Sequence, residues 1–104
     1  PELATIDASF ISLKLILPKV RSLISPEGTV VALIKPQFEV GKGKVGKGGV
    51  VRSAGEHNRV IDEISLAAVD CGYRVLAVTE SPLLGPKGNK EFLLHLKVDS
   101  LAMV

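Results

Sequence analysis

The sequence predicts an α/β domain in which three parallel strands and an antiparallel last strand form one sheet with two main helices. Short apolar runs rich in β-branched residues alternate with segments of helical period, as in β-α-β units. The hydrophobic fraction is 46% but the aromatic fraction only 4%, so the core must be aliphatic. Such a core suits buried parallel strands. A chain of 104 residues forms one domain or part of one.

The first β-α unit is predicted from the N-terminal quarter of the chain. Residues 2–6 indicate a short strand that ends at Asp7. Ser9 is a suitable N-cap for the helix that follows. Apolar residues recur there at helical spacing, at Phe10, Leu13, Leu17, Val20 and Ile24. Pro18 is expected to kink this helix or to begin a second one.

The second strand is an apolar run, residues 30–34, that stops at Lys35 and Pro36. A lysine at the end of a buried strand needs a partner or a function, because burying its charge alone is costly. Ligands of open α/β sheets bind outside the carboxyl ends of the strands. Lys35 is therefore expected at such a site. The alternative is an ordinary strand followed by a solvated basic loop.

A glycine-rich basic loop follows this strand. Residues 41–48 resemble a phosphate-binding GxxxxGK loop, but Gly48 replaces the Ser or Thr that binds magnesium, and no helix follows. A nucleoside triphosphate site is therefore disfavoured, and contact with nucleic-acid phosphates is favoured. The alternative is a solubilising loop. The candidates for phosphate contact are Lys42, Lys44, Lys47, Arg52 and Lys87.

The second half of the chain predicts a helix and two strands. Ser53 and Glu56 match a capping box, and Gly72 is placed to end the helix. Residues 73–79 indicate the third strand, and residues 91–98 the last one, with both of its faces expected to be partly covered. The loop between them, residues 81–89, contains two prolines and two glycines.

The element order is β-α-β-α-β-β, and right-handed crossovers make the first three strands parallel. The last strand is expected to run antiparallel, either next to its predecessor or inserted beside the second strand. In the inserted arrangement Asp7, Lys35 and Glu91 lie along one sheet edge within roughly 10 Å. These charges would form a charge-coupled set or, alternatively, a structural salt-bridge network.

Other features limit the classes of function. Cys71 is the single cysteine, which indicates neither a disulfide framework nor a metal-ligand pair and fits a reducing compartment. His57 is predicted on a helix surface and His95 within a strand, without a chemical role. No run is long enough to span a membrane, and no signal peptide is visible. The start at Pro1 suggests part of a longer protein.

Three segments carry a resemblance to a known family. They are DASFISLKLILP, VVALIKPQFEVGKGKVGKGGVVR and SPLLGPKGNKEFLLHL. Together they resemble the C-terminal half of the methyltransferase domain in the TlyA, or hemolysin A-like, branch of the FtsJ-like RNA methyltransferases. The resemblance covers nearly the whole chain.

This resemblance implies a Rossmann-like sheet, with residues 1–104 supplying its second half. It implies transfer of a methyl group from S-adenosylmethionine to a ribose 2′-hydroxyl of ribosomal RNA, in the cytoplasm. The family's catalytic pattern is Lys-Asp-Lys-Glu, and its last three members match Asp7, Lys35 and Glu91. Asp7 and Ser9 are candidates for cofactor contact. The first lysine and the glycine-rich cofactor loop have no counterpart, so this chain alone is expected to be inactive.

Two other classes of function are alternatives to methyl transfer. A non-catalytic RNA-binding or assembly module would keep the charged edge for binding only. Membrane lysis has no support, because the sequence contains neither a membrane span nor a basic amphipathic helix of sufficient moment. In the sheet of the whole family domain the first strand would be central and paired on both sides. In this chain it becomes an exposed edge strand. Self-association through this strand, or partial disorder of residues 1–10, is therefore expected.

Overall fold

The computed structural model describes residues 1–8, 11–40 and 49–99, and the elements within them follow the predicted order. The strands are β1 (Leu3–Ile6), β2 (Thr29–Ile34), β3 (Tyr73–Glu80) and β4 (Phe92–Val98). The helices are α1 (Leu13–Leu23), α2 (Pro36–Glu39) and α3 (Ala54–Asp70), with a 3-10 turn at Pro86–Gly88. The short helix α2 was not predicted.

The strands form one mixed sheet in the order β1-β2-β4-β3. β1 pairs in parallel with β2, and β4 lies between β2 and β3, antiparallel to both. β1, β2 and β3 therefore run in the same direction, as predicted, and the inserted placement of the last strand is the observed one. β1 forms one edge of the described sheet. Self-association through this edge stays a prediction.

The core lies between one face of the sheet and the helices α1 and α3. Leu17 of α1 and Ile64 of α3 are fully buried against strand residues such as Leu94. The other face of β4 is open among the described residues: Leu93 is 37% exposed, and His95 is exposed as well. The described helices pack on the opposite face, so the expected partial cover of both faces of the last strand stays a prediction.

Helix α1 begins later than predicted. Its N-cap is Ser12, whose hydroxyl accepts a hydrogen bond from the Lys14 backbone N–H at 3.0 Å. The predicted cap, Ser9, lies outside the described residues. Pro18 lies within the helix and does not divide it. Because proline has no N–H, the carbonyl of Lys14 loses its intrahelical partner there.

Helix α3 has the predicted ends. The Ser53 hydroxyl accepts a hydrogen bond from the Glu56 backbone N–H at 3.3 Å. After the last turn, Gly72 has a φ of 101°, a conformation that favours glycine. The Arg21 side chain donates to the Gly72 carbonyl at 3.1 Å and so joins the C-terminal ends of α1 and α3.

Tyr73 connects the start of β3 to α1. Its side chain is 1% exposed, and its hydroxyl donates to the Leu17 carbonyl at 2.8 Å. Burial of the phenol disfavours the charged phenolate and raises the pKa of Tyr73 to about 12. The hydrogen bond thus satisfies a polar group that the core would otherwise leave unpaired.

We predict that Tyr73→Phe lowers the free energy of unfolding by about 1 kcal/mol at neutral pH, through loss of this hydrogen bond. Alkaline pH gives a second signature. The pKa of Tyr73 rises from 10.0 in the unfolded chain to about 12 on folding, so the folded protein binds more protons between these values. Its stability must therefore fall as the pH rises through this window, by up to about 1.4 kcal/mol per pH unit.

Urea titrations of the wild type and of Tyr73→Phe across this window measure both effects. In Tyr73→Phe, the free energy of unfolding still falls at alkaline pH because other groups titrate. The part of the fall that is due to the Tyr73 phenol is missing. The two stability curves should therefore converge as the pH rises. Parallel curves would show that the phenol does not titrate differently on folding.

Candidate active site

Three charged residues lie at one edge of the sheet, and we call them the charged edge: Asp7, Lys35 and Glu91. Asp7 follows β1, Lys35 follows β2, and Glu91 precedes β4. The pairing of Ile34 with Phe92 makes Lys35 and Glu91 neighbours across β2 and β4. The parallel register of β1 and β2 brings Asp7 to the same end. The structure therefore brings together the three residues that the sequence grouped.

Lys35 and Asp7 form an ion pair between Nζ and Oδ1. The Lys35 side chain is only 12% exposed, while that of Asp7 is 65% exposed. The lysine is thus largely withdrawn from water, and its carboxylate partner faces solvent. This arrangement presents the Lys35 amino group at the carboxyl end of β2, where it can stabilise negative charge that develops on a bound oxygen.

Glu91 is the buried member of the charged edge, with 6% of its surface exposed. Its Oε2 accepts a hydrogen bond from the Gln37 side-chain amide at 3.0 Å. Gly85 packs directly against it, and a Cβ at that position would overlap with Oε2. The carboxylate is therefore held on one side by an amide and on the other by a backbone that leaves no room for a side chain.

Gln37 is a site residue that the sequence analysis missed. Its Oε1 is buried and has no hydrogen-bond partner among the described residues. A buried acceptor without a partner is costly, and a donor from a water molecule or a bound ligand would remove that cost. The available signal was Pro36, since proline favours the first position of a helix. A helical turn after Lys35 carries Gln37 back over the sheet edge.

Glu39, the last residue of α2, ties this turn to helix α1. Its Oε1 accepts from the Ser12 hydroxyl at 2.6 Å, and its Oε2 accepts from the Leu13 backbone N–H at 2.8 Å. The carboxylate thus satisfies N-terminal groups of α1, where negative charge is favourable. This contact fixes the segment that begins with Lys35 against the body of the domain.

A basic pocket lies beside the charged edge, between residues 50–52 and the 3-10 turn. It has a volume of about 230 Å³, and its polar lining residues are Arg52, His57, Lys87 and Lys90. The structure thus brings together two of the residues predicted to contact RNA, Arg52 and Lys87. The other three, Lys42, Lys44 and Lys47, lie outside the described residues, as do the glycine-rich loop and Ser9.

The prediction that His57 lies on a helix surface is wrong. Its side chain is 7% exposed, and its Nε2 lies 2.7 Å from the Val51 carbonyl oxygen. The ring also meets Phe92 edge-on, with the centroids 5.6 Å apart. His57 belongs to the first turn of α3, and the preceding segment and the start of β4 cover this turn. Sequence periodicity does not reveal such tertiary cover.

Other chemical roles find little support in the described part of the chain. Burial raises the pKa of the Cys71 thiol, which disfavours the reactive thiolate. No cluster of His, Cys, Asp and Glu side chains in residues 1–8, 11–40 and 49–99 is arranged to hold a metal ion. None of the described helices has the length and apolarity needed to cross a membrane.

The fit between Gly85 and Glu91 gives a test of this geometry. We predict that Gly85→Ala lowers the free energy of unfolding by about 1–3 kcal/mol, because the added methyl group displaces the buried Glu91 carboxylate from Gln37. Gly55→Ala is the matched control. A Cβ there meets only the Ser53 hydroxyl at 3.5 Å, so this change should be neutral or stabilising by up to about 1 kcal/mol.

Urea denaturation of both glycine variants decides the point. Equal midpoints for Gly85→Ala and the wild type would mean that Glu91 is not held as described. A matching loss in Gly55→Ala would mean that the effect is not specific to the Glu91 contact.

Comparison with known proteins identifies the relatives of this fold. YqxC of Bacillus subtilis, which carries the provisional name of an rRNA methyltransferase, is 52% identical over 97 residues, which make up 92% of this chain and 34% of YqxC. The 16S/23S rRNA (cytidine-2'-O)-methyltransferase TlyA of Mycobacterium tuberculosis is 41% identical over 99 residues, 95% of this chain and 37% of TlyA. The chain thus spans about a third of the length of these relatives.

A solved structure and a family model agree with these relatives. The structure, from Streptococcus thermophilus and provisionally named a hemolysin, superposes with a TM-score of 0.92 at 45% identity. The match covers 95% of this chain and 36% of that one. The model of the FtsJ-like methyltransferases matches residues 1–98. Since this match includes every described strand and helix, the chain belongs to the FtsJ-like methyltransferase family.

Proposed function

We propose that this chain is part of an S-adenosylmethionine-dependent methyltransferase that methylates a ribose 2′-hydroxyl of ribosomal RNA in the cytoplasm. Within that enzyme, residues 1–104 would form the second half of the methyltransferase sheet. The observation that carries the proposal is the charged edge, in which the largely buried side chain of Lys35 is paired with Asp7 and Lys35 lies beside Glu91. Membership of the FtsJ-like family supports methyl transfer as the reaction.

The chemistry requires help with a poor nucleophile. A ribose hydroxyl holds its proton at neutral pH, so the site must position its oxygen and favour loss of the proton. S-adenosylmethionine supplies an electrophilic methyl group on a sulfonium centre. The oxygen gains that methyl group as the carbon–sulfur bond breaks, and the hydroxyl proton passes to a base or to water.

Lys35 is the central residue of the proposal. Two roles are compatible with its place at the site: a base that takes the hydroxyl proton, or an ammonium that stabilises the developing charge on the oxygen. The contact with Asp7 supports the second role, because it holds the lysine nitrogen in place at the edge where the oxygen would bind. Asp7 then orients the ammonium group, and Glu91 is held by Gln37 to border the reacting hydroxyl.

The described residues fit one part of a cofactor site. Asp7 offers an exposed carboxylate at the end of a strand, the place where α/β sheets bind ligands. It is suited to the positively charged amino group of a methionine moiety. Ser9, the second candidate for cofactor contact, lies outside the described residues. The remainder of the site would come from elsewhere in the longer protein.

The position of the transferred methyl group tests the proposal. We predict that the full-length protein transfers radiolabelled methyl from S-adenosylmethionine to ribosomal RNA. Alkaline hydrolysis should then leave the label in dinucleotides, because a methylated 2′-oxygen cannot attack the adjoining phosphate. A label in mononucleotides would indicate methylation of a base. RNA binding without methyl transfer would favour the alternative function, a non-catalytic RNA-binding or assembly module.

A further inference from the structure

The basic pocket has the charge of an anion site. Arg52, Lys87 and Lys90 line it, and none of its described lining residues is acidic. Lys90 has one distant carboxylate, since its Nζ lies 3.8 Å from Glu80, and both side chains are more than half exposed. An exposed pair of this kind is weak. Three cations that converge on one concave surface attract an anion more strongly than the net charge of +2 suggests.

The walls of the pocket are held in place by buried polar contacts. Asn89 is 2% exposed, and its side-chain amide donates to the Gly49 carbonyl at 3.0 Å. Its Oδ1 accepts from the Val51 backbone N–H at 2.9 Å. The Val51 carbonyl in turn accepts from His57 Nε2 at 2.7 Å, because a carbonyl can only accept. The two segments that carry Arg52 and Lys87 are therefore fixed relative to each other.

Lys87 occupies a backbone conformation that has an energetic cost. Its φ is 60°, in the left-handed region that residues other than glycine seldom adopt, and Gly88 follows with a φ of 82°. Such conformations cost about 1–3 kcal/mol and are often found at binding sites. The Lys87 ammonium reaches across to Gly49, where a Cβ would lie 3.4 Å from Nζ. The turn thus directs the lysine toward the other wall of the pocket.

The pocket is connected to the charged edge through one short loop. The Gly85 backbone N–H donates to the Asn89 carbonyl at 2.7 Å, and Gly85 is the residue that packs against Glu91. The loop between β3 and β4 thus forms one wall of the pocket and also packs against the buried Glu91 carboxylate. Lys90, which lines the pocket, is also the chain neighbour of Glu91 in the charged edge.

We propose that the basic pocket binds one backbone phosphate of the RNA strand and thereby sets the position of the ribose at the charged edge. This inference rests on the proposed function, because it takes RNA as the ligand. The volume of about 230 Å³ is below the roughly 300 Å³ of small-molecule sites, which suits a phosphate group more than a whole cofactor. Arginine and lysine together provide directed hydrogen bonds and charge for such a group.

The test is RNA binding by the full-length protein as a function of salt. A labelled single-stranded RNA oligonucleotide is titrated with the wild type and with the pocket variant Arg52→Gln/Lys87→Gln. The logarithm of the association constant falls linearly with the logarithm of the salt concentration. Loss of one phosphate contact should make this slope shallower by about 0.7. Affinity at low salt should fall by about tenfold.

The matched control removes two positive charges elsewhere. Lys19 on α1 and Arg74 on β3 are exposed and do not line the pocket. The control variant Lys19→Gln/Arg74→Gln should keep the wild-type slope. A second pocket variant, Lys87→Gln/Lys90→Gln, leaves Arg52 unchanged and should reproduce the loss of slope. Thermal unfolding of each variant verifies that it remains folded.

The outcomes separate this inference from the proposed function. An equal slope for the wild type and both pocket variants would overturn the phosphate site, and so would an equal loss in the control. If the salt dependence of binding is reduced in the pocket variants but the wild type transfers no methyl group, the phosphate site stands and the proposed reaction fails. If methyl transfer occurs with an unchanged slope in the variants, the reaction stands and the phosphate site is wrong.

Discussion

The insertion of β4 between β2 and β3 is the constraint on which the candidate site depends. Because β4 runs antiparallel to both neighbours, its first residues lie beside the last residues of β2. This register brings Glu91 next to Lys35, although 55 residues separate them along the chain. The parallel pairing of β1 then brings Asp7 to the same edge. A last strand at the outside of the sheet would have separated these charges.

Partly buried polar contacts hold the residues of this edge in place. Gln37 holds Glu91, and Glu39 joins the turn after Lys35 to the N-terminus of α1. Asn89 bridges two loops from within the protein. Each such bond contributes only about 1 kcal/mol net, but an unpaired partner costs more, so the arrangement is specific. One loop, residues 81–91, thereby supports both the charged edge and the basic pocket.

Periodicity and the rules of strand connection predicted most of the fold. The N-cap at Ser53 and the glycine at the end of α3 were local signals, and the structure confirms both. The Glu56 carboxylate of the predicted capping box pairs with Arg59. Features that depend on distant partners were not predictable in this way. Ser12 caps α1 in contact with Glu39, a residue 27 positions away, and His57 is buried by neighbouring segments. Asp7, Lys35 and Glu91 were grouped from the predicted topology alone. Gln37 could be assigned to the site only after the helical turn that follows Lys35 was seen in the structure.

The most direct test of this account is methyl transfer to ribosomal RNA by the full-length protein carrying Lys35→Ala, with Lys19→Ala as the control. Lys19 is an exposed lysine of α1, so its loss removes the same charge at a distance from the charged edge. The account predicts a fall in rate of at least about a hundredfold for Lys35→Ala. It also predicts an intact fold by circular dichroism and a control at the wild-type rate. Wild-type activity in a folded Lys35→Ala protein would contradict the central role of this lysine.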